Sequence, residues 1–178
     1  MENKKVIFLV IFFTLFLPGC LTKLQQVILS PSIVEEALNY ALTVDGFPYV
    51  LGGRGPNEFD CSGLIVWSYK QAYPEISFRV GRKKVSDIAM NDIWRYNTVP
   101  LLPTDMQSGD IVFITDSDTV MTHGGMFIEW VDETTFKFIN ASSYYGKVVI
   151  DTWSTSSVIR GQWFAGAGRL QTVRGCLL

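Results

Sequence analysis

The apolar positions of the chain follow a helical period in its first half and a strand period in its second. After residue 30, apolar residues recur at the spacing of one helix face: Ile33, Ala37, Tyr40, Ala41 and Val44. Ser32 and Glu35 fit a capping box at the start of this helix, and Asp45-Gly46 ends it. A second helix is predicted from about Cys61 to Ala72, because apolar residues again recur on one face: Leu64, Ile65, Tyr69 and Ala72.

The second half contains short β-branched and aromatic runs separated by turn residues. These predicted strands are Ile111 to Thr115, His123 to Val131, Thr135 to Asn140, Lys147 to Asp151 and Trp163 to Val173. Short connections favour antiparallel pairing of neighbouring strands. Residues 73–109 are predicted to be irregular, with one short helix near Ser86 to Tyr96. Helices followed by strands predict an α+β domain.

The N-terminal residues have the order of a secretory signal. Lys4 and Lys5 precede an apolar run, which at about twelve residues is too short to cross a bilayer. Leu17-Pro18-Gly19-Cys20 closes the segment, in a pattern that resembles a bacterial lipobox and implies lipid attachment to Cys20. An ordinary cleaved signal with an incidental cysteine is the alternative. We expect a signal peptide at 1–19, a lipidated cysteine and tether at 20–32, with Leu21 to Leu29 as the tether, and one domain at 33–178.

Composition narrows the possible partners and cofactors. Lys and Arg number 15 against 17 Asp and Glu, so no basic surplus exists to neutralise phosphates, and we expect no nucleic-acid partner. One histidine and scattered carboxylates form no metal-ligand cluster, so we expect neither a metal nor another cofactor. Cys176 has no assigned role, and we expect the chain to act as a monomer.

Cys61 is a candidate nucleophile because it stands where a helix begins. Asp60 is a good N-cap, whose carboxylate is expected to accept from the backbone N–H of Ser62 or Gly63. Unpaired N–H groups and the helix dipole in this first turn favour a thiolate, so we predict a lowered pKa for Cys61. The N–H of Cys61 is a candidate oxyanion donor. The alternative is that Cys61 is a small buried apolar residue.

The single histidine is the candidate base for this thiol. His123 opens an apolar strand, from which its imidazole could take the proton of Cys61. Gly124 and Gly125 leave room for a helix or ligand to approach the strand closely. Asn140 ends the next strand, and its amide oxygen could accept from one imidazole nitrogen and fix the ring. The alternatives are a structural histidine and a turn-forming asparagine.

These residues lie in segments that resemble one known family. The segments are Phe47-Pro48-Tyr49-Val50-Leu51-Gly52-Gly53, Phe59-Asp60-Cys61-Ser62-Gly63-Leu64-Ile65, Gln107-Ser108-Gly109-Asp110-Ile111-Val112-Phe113, Thr122-His123-Gly124-Gly125-Met126-Phe127-Ile128 and Phe138-Ile139-Asn140-Ala141. Their order resembles the NlpC-type (NlpC / p-sixty) cell-wall peptidases over about residues 33–172.

The resemblance implies a papain-like fold, in which the nucleophile helix packs on a C-terminal antiparallel sheet. It also implies hydrolysis of amide bonds in peptidoglycan stem peptides, usually between γ-linked D-glutamate and the following diamino acid. Cys61 would be the nucleophile, His123 the base and Asn140 the orienting residue, as in a cysteine peptidase that forms a thioester. Tyr49 would help form the oxyanion site, and Asp60 and Ser62 would contribute to substrate binding.

The sequence also predicts where the protein is located, and it leaves one alternative function open. A lipid on Cys20 would hold the protein on a bacterial membrane, facing the cell wall or periplasm. Residues 79–100 depart from the usual spacing after the nucleophile helix. This departure motivates the alternative of a catalytically inactive lipoprotein that binds the cell wall with the same fold.

Overall fold

The computed structural model describes residues 24–174 of the protein. The predicted signal peptide, Cys20 and Cys176 lie outside these residues. Residues 24–174 contain three helices and nine strands. The helices are α1 (Pro31–Thr43), α2 (Cys61–Ala72) and α3 (Met90–Tyr96), and a short 3₁₀ turn spans Pro103–Asp105. The strands are β1 (Gln25–Ile28), β2 (Phe78–Val80), β3 (Lys83–Val85), β4 (Thr98–Leu101), β5 (Ile111–Thr115), β6 (His123–Trp130), β7 (Thr135–Ser142), β8 (Lys147–Ser154) and β9 (Trp163–Arg174).

Seven of these strands form one antiparallel sheet. Its order is β1-β9-β5-β6-β7-β8, and β4 also pairs with the long strand β9. Strands β5 to β8 pair in chain order, as their short connections predict. Strands β2 and β3 form a separate hairpin. The α+β class and the antiparallel C-terminal sheet are therefore confirmed, and helix α2 packs on this sheet, as predicted.

The centre of the sheet is buried on both faces. All five residues of β5 are buried. Ile111 and Phe113 join the core that includes the helices, whereas Val112 and Ile114 join a second core with aromatic residues of β7. Alternate side chains of a strand point to opposite faces. Each fully buried side chain of this kind contributes about 1.5–3 kcal/mol, so this strand anchors the surrounding sheet.

Helix α2 packs between α1 and the sheet. Leu64, Ile65 and Tyr69 are fully buried, as predicted, and Ala72 is only partly buried. The Tyr69 hydroxyl donates to the carbonyl of Gly109, at 3.1 Å, just before β5. Helix and sheet are therefore joined by apolar packing and, near the end of α2, by one buried hydrogen bond.

Three local predictions are wrong. The tether reading fails over Gln25–Ile28, because these residues form β1 and pair with the end of β9. The irregular reading of 73–109 missed the β2–β3 hairpin and β4. The capping box at Ser32 is absent, since Ser30 is the N-cap and makes no side-chain cap bond. Pro31 takes the first helical position, where its missing N–H costs nothing, and so moves the helix start before Ser32.

No helix within residues 24–174 is both long enough and apolar enough to cross a bilayer.

Candidate active site

Asp60 organises the start of α2 through both of its carboxylate oxygens. Oδ1 accepts from the backbone N–H of Gly63, at 2.6 Å, and from the Ser62 hydroxyl, at 2.9 Å. Oδ2 accepts from the N–H of Gly52, at 3.0 Å, and from the Arg54 guanidinium, at 2.5 Å. Burial opposes ionisation, but the bonds from Arg54, Gly63 and Ser62 outweigh it and hold the pKa of Asp60 below its ordinary value. The predicted cap is confirmed.

Glycine allows the loop before α2 to lie against the first helical turn. A Cβ added at Gly63 would stand 1.9 Å from the carbonyl oxygen of Gly53, well inside contact distance. The same carbonyl accepts from the N–H of Asp60, at 3.0 Å. Only a residue without a side chain fits at 63. The Gly-rich loop is thereby fixed beside Cys61.

Cys61 lies in the first turn of α2 as a partly buried free thiol. Burial and then the negative charge of Asp60 raise the pKa of Cys61 to about 11, although the N–H groups of Ser62 and Cys61 and the charge of Arg54 act in the opposite direction. The prediction of a lowered pKa is therefore wrong for this structure. The helix start does favour the thiolate, but the loss of hydration around the sulfur outweighs that effect.

His123 and Asn140 are brought together by the pairing of β6 with β7. His123 Nε2 lies 3.0 Å from Asn140 Oδ1. The Asn140 amide nitrogen donates to the carbonyl of Val149, at 3.3 Å, so the amide oxygen is the atom that faces the ring. Nε2 therefore carries the proton, and Nδ1 of the neutral ring is a proton acceptor. The predicted contact is present.

The ring is neutral in the resting site. Burial lowers the pKa of His123, and it outweighs the hydrogen bond that the ring donates to Asn140 and the charge of Asp151, which act to raise it. The charge of Arg160 lowers the pKa further. Because the imidazole is unprotonated at neutral pH, Nδ1 is able to accept a proton from a neighbouring acid.

Gly125 permits the close approach of these two strands. A Cβ at this position would lie 2.2 Å from the carbonyl oxygen of Ile139 and 2.8 Å from the Cβ of Asn140. A Cβ at Gly124 would instead meet the carbonyl oxygen of Val112, at 2.4 Å, and the side chain of Met90. The predicted room beside the strand is thus occupied by neighbouring strands and by the start of α3.

A cleft of about 190 Å³ brings four predicted site residues together. Tyr49, Cys61, His123 and Asn140 all line it. Asp60 and Ser62 are not among its lining residues, since their side chains are buried and bonded to each other. Sequence reasoning missed several other residues of the cleft, which belong to no recognisable motif: Ser142, Ser143, Tyr144, Asp151, Trp153, Arg160 and Gln162.

Tyr49 is held in this cleft by the turn that precedes β8. Its backbone N–H donates to the carbonyl of Gly146, at 2.9 Å. Burial, and then the nearby Cys61 and Asp60, raise the pKa of Tyr49. Its hydroxyl consequently keeps its proton at neutral pH and is available as a hydrogen-bond donor.

The arrangement suits acyl transfer by sulfur. A thiol and a neutral imidazole line one cleft, the imidazole is oriented by an amide, and a phenol and a helix N-terminus supply hydrogen-bond donors. Among residues 24–174, no group of three or more His, Cys, Asp or Glu side chains could hold a metal ion. The fold and the cleft residues therefore define a candidate cysteine–histidine active site in an α+β domain.

Comparison with known proteins assigns the family. The model of the NlpC/P60 family matches residues 46–166, and the chain belongs to this family. The resemblance drawn from the motifs is confirmed. NlpC1 from Trichomonas vaginalis superposes with a TM-score of 0.57 at 27% identity, over 83% of this chain and 47% of that protein.

Curated relatives are named as hydrolases. The gamma-DL-glutamyl hydrolase of Bacillus subtilis is 30% identical over 53% of this chain and 20% of its own length. The murein DD-endopeptidase MepH of Escherichia coli is 28% identical over 53% of this chain and 32% of its own length. The chain spans only 19% to 32% of the length of its curated relatives.

Proposed function

We propose that the protein is a cysteine peptidase that hydrolyses amide bonds in peptidoglycan stem peptides. The single observation that carries the proposal is the placement of Cys61, His123 and Asn140 in one cleft, with the imidazole fixed by the asparagine. Family membership and the relative named as a murein endopeptidase support the choice of substrate.

The reaction begins with proton transfer within the cleft. Nδ1 of His123 takes the proton of Cys61 as the sulfur attacks the carbonyl carbon of the substrate. The developing oxyanion accepts from the backbone N–H of Cys61 and the Tyr49 hydroxyl, and a donor aimed in this way is worth about 3 kcal/mol. Because the pKa of Cys61 is raised, sulfur ionises during attack and is not stored as a resting ion pair.

The thioester is then formed and hydrolysed. The carbon–nitrogen bond breaks as the imidazolium of His123 gives its proton to the leaving amine. A water molecule next loses a proton to Nδ1 and attacks the thioester carbonyl. The resulting tetrahedral intermediate collapses, the carbon–sulfur bond breaks, and a carboxylic acid is released. The imidazolium returns its proton to the sulfur, so the thiol and the neutral imidazole are restored.

The bond after γ-linked D-glutamate is the proposed target. The family resemblance implies this bond, and one relative is named as a gamma-DL-glutamyl hydrolase. A test is digestion of defined muropeptides with the parent and the Cys61→Ala variant, followed by mass spectrometry. We expect cleaved stem peptides from the parent alone. Equal cleavage by both proteins would remove Cys61 from the mechanism.

A second candidate is a wall-binding protein without turnover. The departure of residues 79–100 from the family's usual spacing after the nucleophile helix motivates it. The same digestion decides between the two functions. Retention of the parent protein on purified peptidoglycan, without release of any peptide, would support binding alone.

Anchoring to a membrane through lipid on Cys20 is proposed from the signal-like sequence. Cell fractionation tests it. We expect the native protein in the membrane fraction and a Cys20→Ala variant outside it, and membrane association of both proteins would contradict the anchor.

A further inference from the structure

A guanidinium stands in the same cleft as the nucleophile. Of the cleft-lining residues within 24–174, Arg160 is the one that carries a permanent positive charge. It belongs to the connection between β8 and β9, outside every motif of the family resemblance. The mechanism proposed above gives it no role.

Its position is fixed by polar and aromatic neighbours. Nη1 donates to Asp151 Oδ2, at 2.8 Å, and Nη2 donates to the Tyr145 hydroxyl, at 2.6 Å. The guanidinium carbon lies 4.5 Å from the ring centre of Tyr144, 4.9 Å from that of Tyr145 and 5.5 Å from that of Trp153. A cation over aromatic rings is held in place without losing its charge.

The backbone conformation at Arg160 is also unusual for an arginine. The N–H and C=O groups of Ile159 and Gln162 bond to each other, at 2.8 and 3.0 Å, so Arg160 and Gly161 are the central residues of a tight turn. Both have positive φ, 53° and 78°. Such a turn favours Asn-Gly, and arginine is uncommon in this conformation. Strained residues of this kind occur often at ligand-binding positions.

Part of the guanidinium is available to a ligand. Arginine has five N–H donors, of which the contacts with Asp151 and Tyr145 occupy two. The side chain is 28% exposed. Its planar fork matches the geometry of a carboxylate, to which it is able to donate two parallel hydrogen bonds.

We propose that Arg160 binds the free α-carboxylate of the γ-linked glutamate beside the scissile amide. The inference rests on the proposed function and assigns one part of its specificity. A γ-linked glutamate uses its side-chain carboxyl in the peptide bond and therefore leaves its α-carboxylate free. This carboxylate is separated from the scissile carbonyl by a short aliphatic spacer, so a cation in the nucleophile's own cleft is suitably placed to recognise it.

The test compares two peptides on each protein variant. One is a stem peptide with a free α-carboxylate on its γ-linked D-glutamate, and the other carries a carboxamide there. Dissociation constants are measured by calorimetry in a Cys61→Ala background, which prevents turnover. The matched variants are Arg160→Gln and Arg95→Gln, because Arg95 is an exposed arginine that also lies over an aromatic ring, Tyr96, outside the cleft.

We expect Cys61→Ala to bind the carboxylate peptide at least about tenfold more tightly than the carboxamide, the effect of a charged hydrogen-bonded pair. Addition of Arg160→Gln should reduce the ratio of the two constants to about one, whereas Arg95→Gln should leave it unchanged. The ratio compares two ligands on the same protein, so a partial loss of folded protein affects both constants equally and leaves the ratio unchanged. An unchanged ratio in Arg160→Gln would overturn the assignment.

The outcome is separable from that of the proposed function. If the parent cleaves muropeptides but the ratio of the two dissociation constants does not depend on Arg160, the carboxylate assignment is wrong and the peptidase proposal stands. If the parent cleaves nothing and the ratio still depends on Arg160, the carboxylate site stands and the peptidase proposal fails. If the Cys61→Ala protein binds neither peptide, both are wrong.

Discussion

The two walls of the cleft are built differently. The helix wall comprises the Gly-rich loop and the start of α2, residues 47–63. It is supported from behind by the Asp60 carboxylate, both oxygens of which are occupied by internal partners. The sheet wall comprises His123, Asn140, Asp151 and Arg160, of which His123 and Arg160 keep polar atoms available to a ligand. The first wall positions sulfur, whereas the second supplies the proton acceptor and charge.

The largest expected effect on stability lies in the helix wall. Asp60→Ala removes the N-cap, worth about 1 kcal/mol, and leaves the Arg54 charge and the Ser62 hydroxyl without this acceptor. We expect a total loss of about 2–4 kcal/mol in the free energy of unfolding, measured by urea denaturation. Asp60→Asn, which retains an acceptor for the cap, should lose less. An unfolding midpoint equal to that of the parent would show that this wall does not depend on Asp60.

In the sheet wall, the corresponding substitution should affect turnover. Asn140→Ala removes the acceptor that keeps the proton of His123 on Nε2, so the base is less often in the reactive orientation. We expect kcat to fall about 10-fold to 100-fold while KM changes little. Steady-state kinetics on a stem peptide provide the measurement, with circular dichroism as the control for folding. An unchanged kcat would mean that the asparagine does not orient the ring.

The smallest expected effects are shifts in the pH profile. Only neutral imidazole accepts a proton, and burial lowers the pKa of His123 below its ordinary 6.5. Activity should therefore fall on the acid side only as pH drops below that value. Because the pKa of the Cys61 thiol is about 11, its ionisation should cause no loss of activity between pH 7 and 9. A profile of kcat/KM against pH tests both statements, and a basic limb near neutrality would indicate a resting thiolate–imidazolium pair instead.

Local sequence signals predicted one wall better than the other. The cap at Asp60 and the bounds of α2 were readable because they depend on neighbouring residues. The contact between His123 and Asn140 followed from strand order and family resemblance. Arg160 carried no signal, because its contacts join the turn before β9 to β8 and the β7–β8 connection, and its positive φ arises only in the folded chain.

Other errors also have tertiary causes. Strands β1 and β4 are short and contain polar residues or proline, and they form because β9 is long enough to pair with several strands. The pKa of Cys61 was predicted from the helix start alone. The structure shows that burial of the thiol against the core raises this pKa, and burial is a property of the folded chain that reasoning from the helix start does not include.

The most direct test of proton transfer from Cys61 to His123 is the rate at which His123→Ala cleaves a stem peptide, with and without added imidazole. We predict a fall of more than about 10³-fold relative to the parent, because the proton acceptor of Cys61 is lost. Free imidazole should restore part of this loss, while Cys61→Ala should stay inactive in its presence. Cleavage by His123→Ala within about threefold of the parent rate would contradict the pairing of Cys61 with His123 on which the proposed function depends.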